Sequence, residues 1–159
     1  MTKREIVEAF IVQLERDLMV SKQAALATYE AATHEESKPE NEYDTRGLEA
    51  SYLAGAQAKR AAEIDEALNY FRNTPFRDFG PKEPVQATAL VKIAVDGKKS
   101  TILMMPKGGG VHLADGKENI QIVTPSSSLG GALLGLKVGE VGEFEVGSKI
   151  KECEVLGIA

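Results

Sequence analysis

Carboxylates crowd into one short stretch of the chain, residues 34–46, which reads His-Glu-Glu-Ser-Lys-Pro-Glu-Asn-Glu-Tyr-Asp-Thr-Arg. Its acidic residues all fall within ten positions: Glu35, Glu36, Glu40, Glu42 and Asp44. Carboxylates held this close repel one another, and a bound divalent cation removes that cost. Oxygen ligands favour Mg²⁺ over softer metals. The pattern therefore indicates either a magnesium-binding acidic segment or a solvated loop whose charges keep it soluble.

Other residues capable of chemistry have better structural explanations. The run Gly108-Gly109-Gly110 lacks the Lys-Ser/Thr pair of a phosphate-binding loop, so we predict a hairpin turn there. The run Ser126-Ser127-Ser128 shows no His or acid pairing and is interpreted as a helix start. Cys153 has no evident partner His nearby in sequence and is predicted to be a buried structural thiol. His34 and His112 are too far apart to predict a two-His metal site.

The stretch before the acidic segment has the composition and period of a long helix. From Arg4 to about Thr33 there is no Gly or Pro. Apolar and small residues recur there at spacings of three, four and seven, namely Val7, Ile11, Leu14, Leu18 and Ala25. Such a helix is roughly 45 Å long and needs a partner over its apolar stripe.

A second stripe follows the acidic segment, from about Gly47 to Arg72. It contains several small residues and consists of Ala50, Leu53, Gln57, Ala61, Ile64, Leu68 and Phe71. Small facing residues let two helices approach closely, and the short connection favours an antiparallel arrangement. We therefore predict an antiparallel coiled-coil hairpin over residues 1–74, with an acidic tip at about residues 34–46.

Proline and glycine then interrupt the helical pattern and predict a linker over residues 75–83. Beyond it, alternation predicts strands over Val85–Val95, Ser100–Met105, Val111–Leu113, Ile120–Thr124, Gly142–Val146 and Ile150–Leu156. Asp96-Gly97 predicts a hairpin turn, and a short helix is predicted between Ser127 and Leu136, capped by Ser126 or Ser127. Residues 84–159 are therefore expected to form a small antiparallel β domain with one helix, which makes the chain α+β.

Composition excludes several classes of protein. The net charge of −5 argues against a general nucleic-acid coat protein, which would be basic. The apolar runs are shorter than the roughly 18 residues that span a bilayer, and the N-terminus lacks the apolar core of a signal peptide. A single cysteine excludes an intrachain disulfide. We expect a cytoplasmic monomer with no membrane partner.

The order of these parts resembles the Gre-type transcript cleavage factors of bacterial RNA polymerase. Glu40-Asn41-Glu42-Tyr43 is close to the family's acidic tip motif, Asp-Leu-x-Glu-Asn-x-Glu-Tyr. Thr124-Pro125, followed by Leu-Gly-Gly-Ala-Leu-Leu-Gly-Leu-Lys-Val-Gly-Glu over Leu129–Glu140, looks like the family's Ser/Thr-Pro and Ala-Leu-hydrophobic-Gly-Lys-x-x-Gly-Asp segment. The resemblance extends over nearly the whole chain by order of elements.

This resemblance implies a fold and a function. The C-terminal domain would be FKBP-like and hold the rim of the polymerase secondary channel, while the coiled coil enters that channel. The chain would not be an enzyme alone but would stimulate the polymerase to cleave its own backtracked transcript. The site residues implied are Glu40, Glu42 and Asp44, both as catalytic residues and as ligands of a Mg²⁺ shared with the polymerase active site. Nascent RNA would be met only within the polymerase complex.

The acidic tip departs from the family motif. Matching Glu-Asn and Glu-Tyr requires a one-residue gap and puts Ser37 where the family has its catalytic Asp. Counting back without gaps from the second helix puts Glu40 at that Asp and Tyr43 at the catalytic Glu. One acid is missing in either alignment, and Glu42 and Asp44 are the candidate replacements.

Four hypotheses follow. The first is a Gre-like factor that promotes transcript cleavage, and the second is a non-cleaving regulator or inhibitor that occupies the same channel. The third is an FKBP-like prolyl isomerase, which residues 84–159 disfavour because Phe144 is their only aromatic residue. The fourth is a structural coiled-coil protein, which leaves the acidic tip unexplained.

Overall fold

The computed structural model describes residues 1–34, 40, 45–113 and 118–159, with Arg46 described by its backbone alone. Within these ranges the chain forms α1 (Lys3–Thr33), α2 (Arg46–Asn73), β1 (Leu90–Val95), β2 (Lys98–Met104), β3 (Ile120–Val123), α3 (Ser128–Leu133), β4 (Val141–Val146) and β5 (Lys149–Ile158). The predicted α+β class and the long N-terminal helix pair are confirmed.

Two compact units are present. The sheet unit comprises residues 1–10 and 70–159, and the helix-pair unit comprises residues 11–69. The helices α1 and α2 each contribute to both units. The domain limits expected from the sequence, 1–74 and 84–159 with a linker at 75–83, stay a prediction, as does the FKBP-like character of the β region.

In the helix-pair unit, the two helices bury one stripe each. On α1 the half-buried or buried residues recur at alternating spacings of three and four, at Ile11, Leu14, Leu18, Ser21, Ala25, Thr28 and Ala32. On α2 the same spacing connects Gly47, Ala50, Ala54, Gln57, Ala61, Ile64 and Leu68. An alternation of three and four is the heptad repeat of a coiled-coil seam. The stripes expected on both helices are therefore confirmed, with one exception.

Leu53 was expected in the seam, and this prediction is wrong. Its side chain is 53% exposed, whereas the neighbouring Ala54 is 7% exposed. From Ala50 the heptad advances by four residues before it advances by three to Gln57, so the seam position is 54. Residue 53 lies about 100° away around the helix, at the flank of the seam.

The sheet has five strands in the order β3-β2-β1-β5-β4. The strands β1 and β2 form the predicted hairpin around Asp96-Gly97, where both residues have positive φ angles, 50° and 75°. Two successive positive φ angles define the type I′ turn that matches the twist of two-residue hairpins. The strands β4 and β5 are also antiparallel, from Val141 opposite Glu154 to Val146 opposite Lys149.

The expectation of a purely antiparallel sheet is wrong, because β3 runs parallel to β2, with Thr101 opposite Ile120. Parallel neighbours need a long crossover, and β2 ends at Met104 while β3 begins only at Ile120. The predicted strand Val111–Leu113 belongs to this crossover. It forms a bridge between His112 and Gln121, while the Gly108 carbonyl accepts a bond from the amide of Val111 in the preceding turn.

The first predicted strand begins five residues too early, because β1 begins at Leu90 rather than at Val85. Val85 is fully buried, but its backbone pairs with the end of α3, donating to the Leu136 carbonyl and accepting from Gly135. Thr88 has a φ of 71°, which is incompatible with an extended strand. The apolar residues continue on both sides of the kink at Thr88, and for this reason the strand predicted from the sequence was too long.

The core of the sheet unit lies between one face of the sheet and α3. It consists of apolar side chains that are nearly all fully buried: Phe79, Val85, Ala89, Val91, Ile93, Ile102, Met104, Val123, Leu133, Cys153 and Val155. The helix α3 begins as expected, because the hydroxyl of Ser127 accepts a hydrogen bond from the amide of Gly130 at 3.1 Å. None of the described helices combines the length and the apolar character needed to cross a bilayer.

Candidate functional site

Of the three predicted site residues, only Glu40 lies among the described residues. Its side chain is exposed, and it takes part in an interaction with another residue. Glu42 and Asp44 lie outside the described residues, so whether the three carboxylates come together stays a prediction. Among the residues that the structure describes, no three His, Cys, Asp or Glu side chains are grouped so as to hold a metal ion.

The helix ends that flank the acidic segment are well formed. At the end of α1, the hydroxyl of Thr33 donates to the carbonyl of Tyr29 at 3.0 Å. Before α2, Thr45 accepts the first helical bond from the amide of Glu49 at 2.9 Å, and its hydroxyl lies 3.0 Å from the Glu49 carboxylate. A negative side chain in the first turn also interacts favourably with the helix dipole. The acidic segment is thus bounded by two defined helix termini.

Next to these termini, the helix pair carries a shallow apolar groove of about 490 Å³. It is lined from both helices by mostly small residues, Ala27, Thr28, Ala31, Glu49, Ala50 and Leu53. The hydroxyl of Thr28 is turned back onto its own helix, where it donates to the Ala24 carbonyl at 2.9 Å. Small side chains leave this part of the pair slender, and the exposed side chain of Leu53 borders the groove.

The second stretch that carried the resemblance, Thr124–Glu140, has a structural explanation for its glycines. A Cβ atom on Gly130 would lie 1.8 Å from the carbonyl oxygen of Thr124, so no larger residue fits. Gly135 and Gly139 have φ angles of 84° and 87°, which disfavour other residues. The amide of Gly139 also donates to Val155 at 2.8 Å, which attaches the stretch to β5. Gly130, Gly135 and Gly139 are thus required by the fold of this chain.

The remaining candidates have no chemistry to perform in the structure. Cys153 is fully buried, its Sγ lies 3.4 Å from the Gly142 carbonyl, and burial raises the pKa of its thiol, as expected of a structural residue. The hydroxyl of Ser127 caps α3, and the hydroxyl of Ser128 accepts a hydrogen bond from the amide of Glu145 at 2.9 Å. The Gly108–Gly110 run forms a turn, in which the Val111 amide donates to the Gly108 carbonyl, but the expected hairpin is wrong, because the segment after it pairs with β3 rather than with β2.

Sequence reasoning missed one polar cluster, which holds the N-terminus of α1 inside the sheet unit. The ammonium of Lys3 donates to the carbonyls of Arg77 and Ala159 and lies 4.7 Å from the ring centre of Phe79. Arg77 stacks on the same ring at 4.0 Å and forms a two-pronged ion pair with Glu83. Burial lowers the pKa of Lys3 to about 8. These residues are scattered along the chain, so no local sequence pattern indicates that they lie together.

Similarity to known proteins is found only among solved structures. No family model and no curated protein matches the chain. Solved structures similar to it include the GreA factor homolog 1 (Gfh1) of Thermus thermophilus, at 18% identity and a TM-score of 0.38, with 94% of each chain covered. Gfh1 of Thermus aquaticus is 23% identical at a TM-score of 0.40, covering 95% of this chain and 92% of that one.

A GreA/GreB elongation factor from Nitrosomonas europaea is 16% identical at a TM-score of 0.37, covering 70% of this chain and 92% of that one. TM-scores below 0.5 and identities below 25% are too low to establish a shared function. The functional proposal below therefore depends on the residues and elements of this chain.

Proposed function

We propose that this protein is a Gre-like transcription elongation factor that binds in the secondary channel of RNA polymerase and promotes cleavage of backtracked transcripts. The observation that carries the proposal is the position of the acidic segment, which joins the ends of two long helices. The helix α1 has 31 residues and α2 has 28. At about 1.5 Å per residue, each helix is roughly 42–46 Å long.

This geometry suits delivery of charge into a narrow passage. A single helix with its side chains is about 10–12 Å across, so an antiparallel pair has a cross-section of roughly 10 by 20 Å. Small seam residues such as Ala50, Ala54 and Ala61 keep the pair narrow. A globular domain that presented the same carboxylates on its surface could not reach a site at the bottom of a channel. The slender pair and its acidic connection therefore support a function inside a larger partner.

The chemistry proposed for the acidic segment needs Mg²⁺ shared with the polymerase active site. Glu40, Glu42 and Asp44 would hold the ion through carboxylate oxygens, the ligands that Mg²⁺ prefers. When bound, such an ion polarises water and stabilises the oxygens of a phosphodiester under attack. In this proposal, the role of the chain is to supply negatively charged ligands and to orient them. Nascent RNA would be met only within the complex, with this protein acting as a monomer.

A second function, a non-cleaving regulator or inhibitor of the same channel, is favoured by one observation. The tip sequence lacks one of the two family acids in either alignment, with Ser37 or Tyr43 at the position. Occupying the channel requires only the slender helix pair, whereas promoting cleavage requires correctly placed carboxylates. The two functions therefore differ in the acidic segment alone.

A transcript cleavage assay separates the two functions. The protein is added with Mg²⁺ to RNA polymerase stalled in a backtracked complex, and the length of the RNA is followed from its 3′ end. We expect shortening with the wild-type protein and loss of shortening with E40A/E42A/D44A, while polymerase binding persists. The matched control is E63A/D65A/E66A, which removes the same charge from α2 and is expected to retain cleavage.

Each alternative outcome is informative. Inhibited elongation without shortening would establish the non-cleaving function in place of the first. Equal loss of cleavage in both triple variants would show that net charge, rather than the acidic segment, is responsible. Absence of any binding between the wild-type protein and polymerase would reject both functions.

A further inference from the structure

One face of the β4–β5 hairpin is exposed, and no helix or strand in the described part of the chain covers it. Side chains alternate between the faces of a strand, and Cys153 and Val155 lie in the core. Glu152 and Glu154 therefore lie on the opposite face. The strand register adds Val141 opposite Glu154, Glu143 opposite Glu152, and Glu145 opposite Ile150. Leu156 lies on the same face, beside Lys92 of β1.

Large apolar side chains on this face are open to solvent. Ile150 is 68% exposed, Val141 is 51% exposed and Leu156 is 37% exposed. They extend from one end of β5 towards the other, over about 20 Å. The strand β4 is the outermost strand on this side of the sheet, and its Glu145 amide donates a hydrogen bond to the hydroxyl of Ser128 in α3.

The charge on this face has one dominant sign. Glu143 lies directly opposite Glu152, and like charges in such cross-strand pairs destabilise a sheet. Glu145 and Glu154 extend the negative patch. Within the described residues, none of these four carboxylates forms an ion pair or a hydrogen bond. Lys151 of β5 lies on the other face of the strand, where it is paired with Asp96 at 2.8 Å.

We propose that this face, formed by Val141, Glu143, Glu145, Ile150, Glu152, Glu154 and Leu156, docks a basic amphipathic segment of another protein. Apolar side chains of the partner cover the three exposed aliphatic residues. Its lysines or arginines lie between them and neutralise the carboxylates, which removes the repulsion between Glu143 and Glu152. A helix of about 13 residues matches the 20 Å length of the face.

Charge complementarity favours this occupant over a second copy of the chain. Two copies that met through the same face would bring carboxylates against carboxylates. On this face of the described sheet, β1 and β2 contribute two lysines, Lys92 and Lys99, against the four glutamates. The proposal is independent of the function proposed above, since it concerns a surface of the sheet unit and not the acidic segment.

The test uses the full chain and a defined probe. An 18-residue synthetic helix with one leucine face and lysines elsewhere is labelled, and its binding is followed by fluorescence anisotropy at low and high salt. We expect saturable binding that weakens with salt, and a loss of affinity of about tenfold or more in E143K/E152K, because like charges then oppose each other. The variant V141T/I150T keeps β-branched residues and is expected to weaken binding without changing the charge.

The matched control is E30K/D65K, which makes the same change in net charge on exposed positions of α1 and α2. It is expected to bind the peptide like the wild type. An equal loss in this control, or unchanged binding in V141T/I150T, would reduce the effect to general charge attraction and overturn the proposal. Absence of peptide binding by the wild type would overturn it too. A dimer in sedimentation equilibrium that E143K/E152K dissociates would show that the occupant is a second copy.

Discussion

The sheet unit and the helix-pair unit bury their residues in different ways. In the sheet unit, large side chains such as Ile93, Ile102, Met104 and Leu133 are at most 1% exposed. Among the described residues of the helix-pair unit, the buried apolar side chains are Leu14 on α1 and Ala54, Ala61, Ile64, Ala67 and Leu68 on α2. Large apolar residues are instead exposed along its flanks, including Met19, Val20, Leu26, Tyr29, Leu48, Tyr52 and Leu53.

This difference shows that the two units are stabilised by different means. Burial of large aliphatic side chains against a sheet contributes about 25 cal/mol per Å² of apolar surface. A seam of alanines buries little such surface, so the helix pair depends more on helix propensity, in which Ala, Leu, Glu, Lys and Gln rank high. The helix pair is therefore slender, and it buries fewer large apolar side chains than the sheet unit does.

The largest expected effect tests this contrast directly. Replacing the fully buried Ile102 by Ala leaves a cavity in the sheet core and is expected to destabilise the protein by about 2–5 kcal/mol. Replacing Leu53 by Ala on the helix pair is expected to cost less than about 1 kcal/mol, because that side chain is largely exposed. Urea denaturation measures both free energies of unfolding. Equal costs would refute the contrast.

A smaller effect tests how tightly the sheet unit is packed around α3. In Gly130→Ala the new methyl group would overlap the Thr124 carbonyl, so we expect a destabilisation of about 1–3 kcal/mol. The control is Gly131→Ala in the same helix, where the nearest atom is 3.4 Å from the new Cβ. That variant is expected to be neutral or stabilising, since Ala favours helix. Thermal unfolding compares the pair, and similar melting temperatures would contradict the packing described here.

The smallest expected effect concerns a buried polar atom in the helix-pair seam. The Oε1 atom of Gln57 is buried there and lacks a hydrogen-bond donor among the described residues. Gln57→Leu removes this unsatisfied acceptor and is expected to stabilise the protein by about 1–2 kcal/mol. Gln23→Leu on the exposed side of α1 is the control and should change stability by less than about 0.5 kcal/mol. Destabilisation by Gln57→Leu would show that the polar group serves the seam.

Local patterns predicted most of the fold. The heptad spacing of Leu14, Leu18 and Ala25 gave the helix pair, and Asp96-Gly97 gave the first hairpin. The sequence did not reveal that β3 is parallel to β2, because the alternation within each strand does not record the direction of its neighbour. The prediction also placed Leu53 in the seam. Spacings of three and four from Ala50 fit both position 53 and position 54, and only the packed helices show that position 54 is the buried one.

The candidate functional residues, like the fold, were only partly evident from the sequence. The carboxylates of residues 34–46 are evident from composition, and so is their position between two long helical stretches. The cluster of Lys3, Arg77 and Phe79 was not evident, because it brings the start of the chain against the linker.

The sequence by itself determined the local properties of this protein: two amphipathic helices, their acidic connection, and the glycines needed for turns. These follow from spacing and from the conformations that each residue permits over a few neighbours. The tertiary structure alone decided that β3 pairs in parallel with β2, why Gly130 has no room for a side chain, and that Glu143 lies opposite Glu152 on an exposed face. Those features depend on contacts between residues distant along the chain, which no local period records.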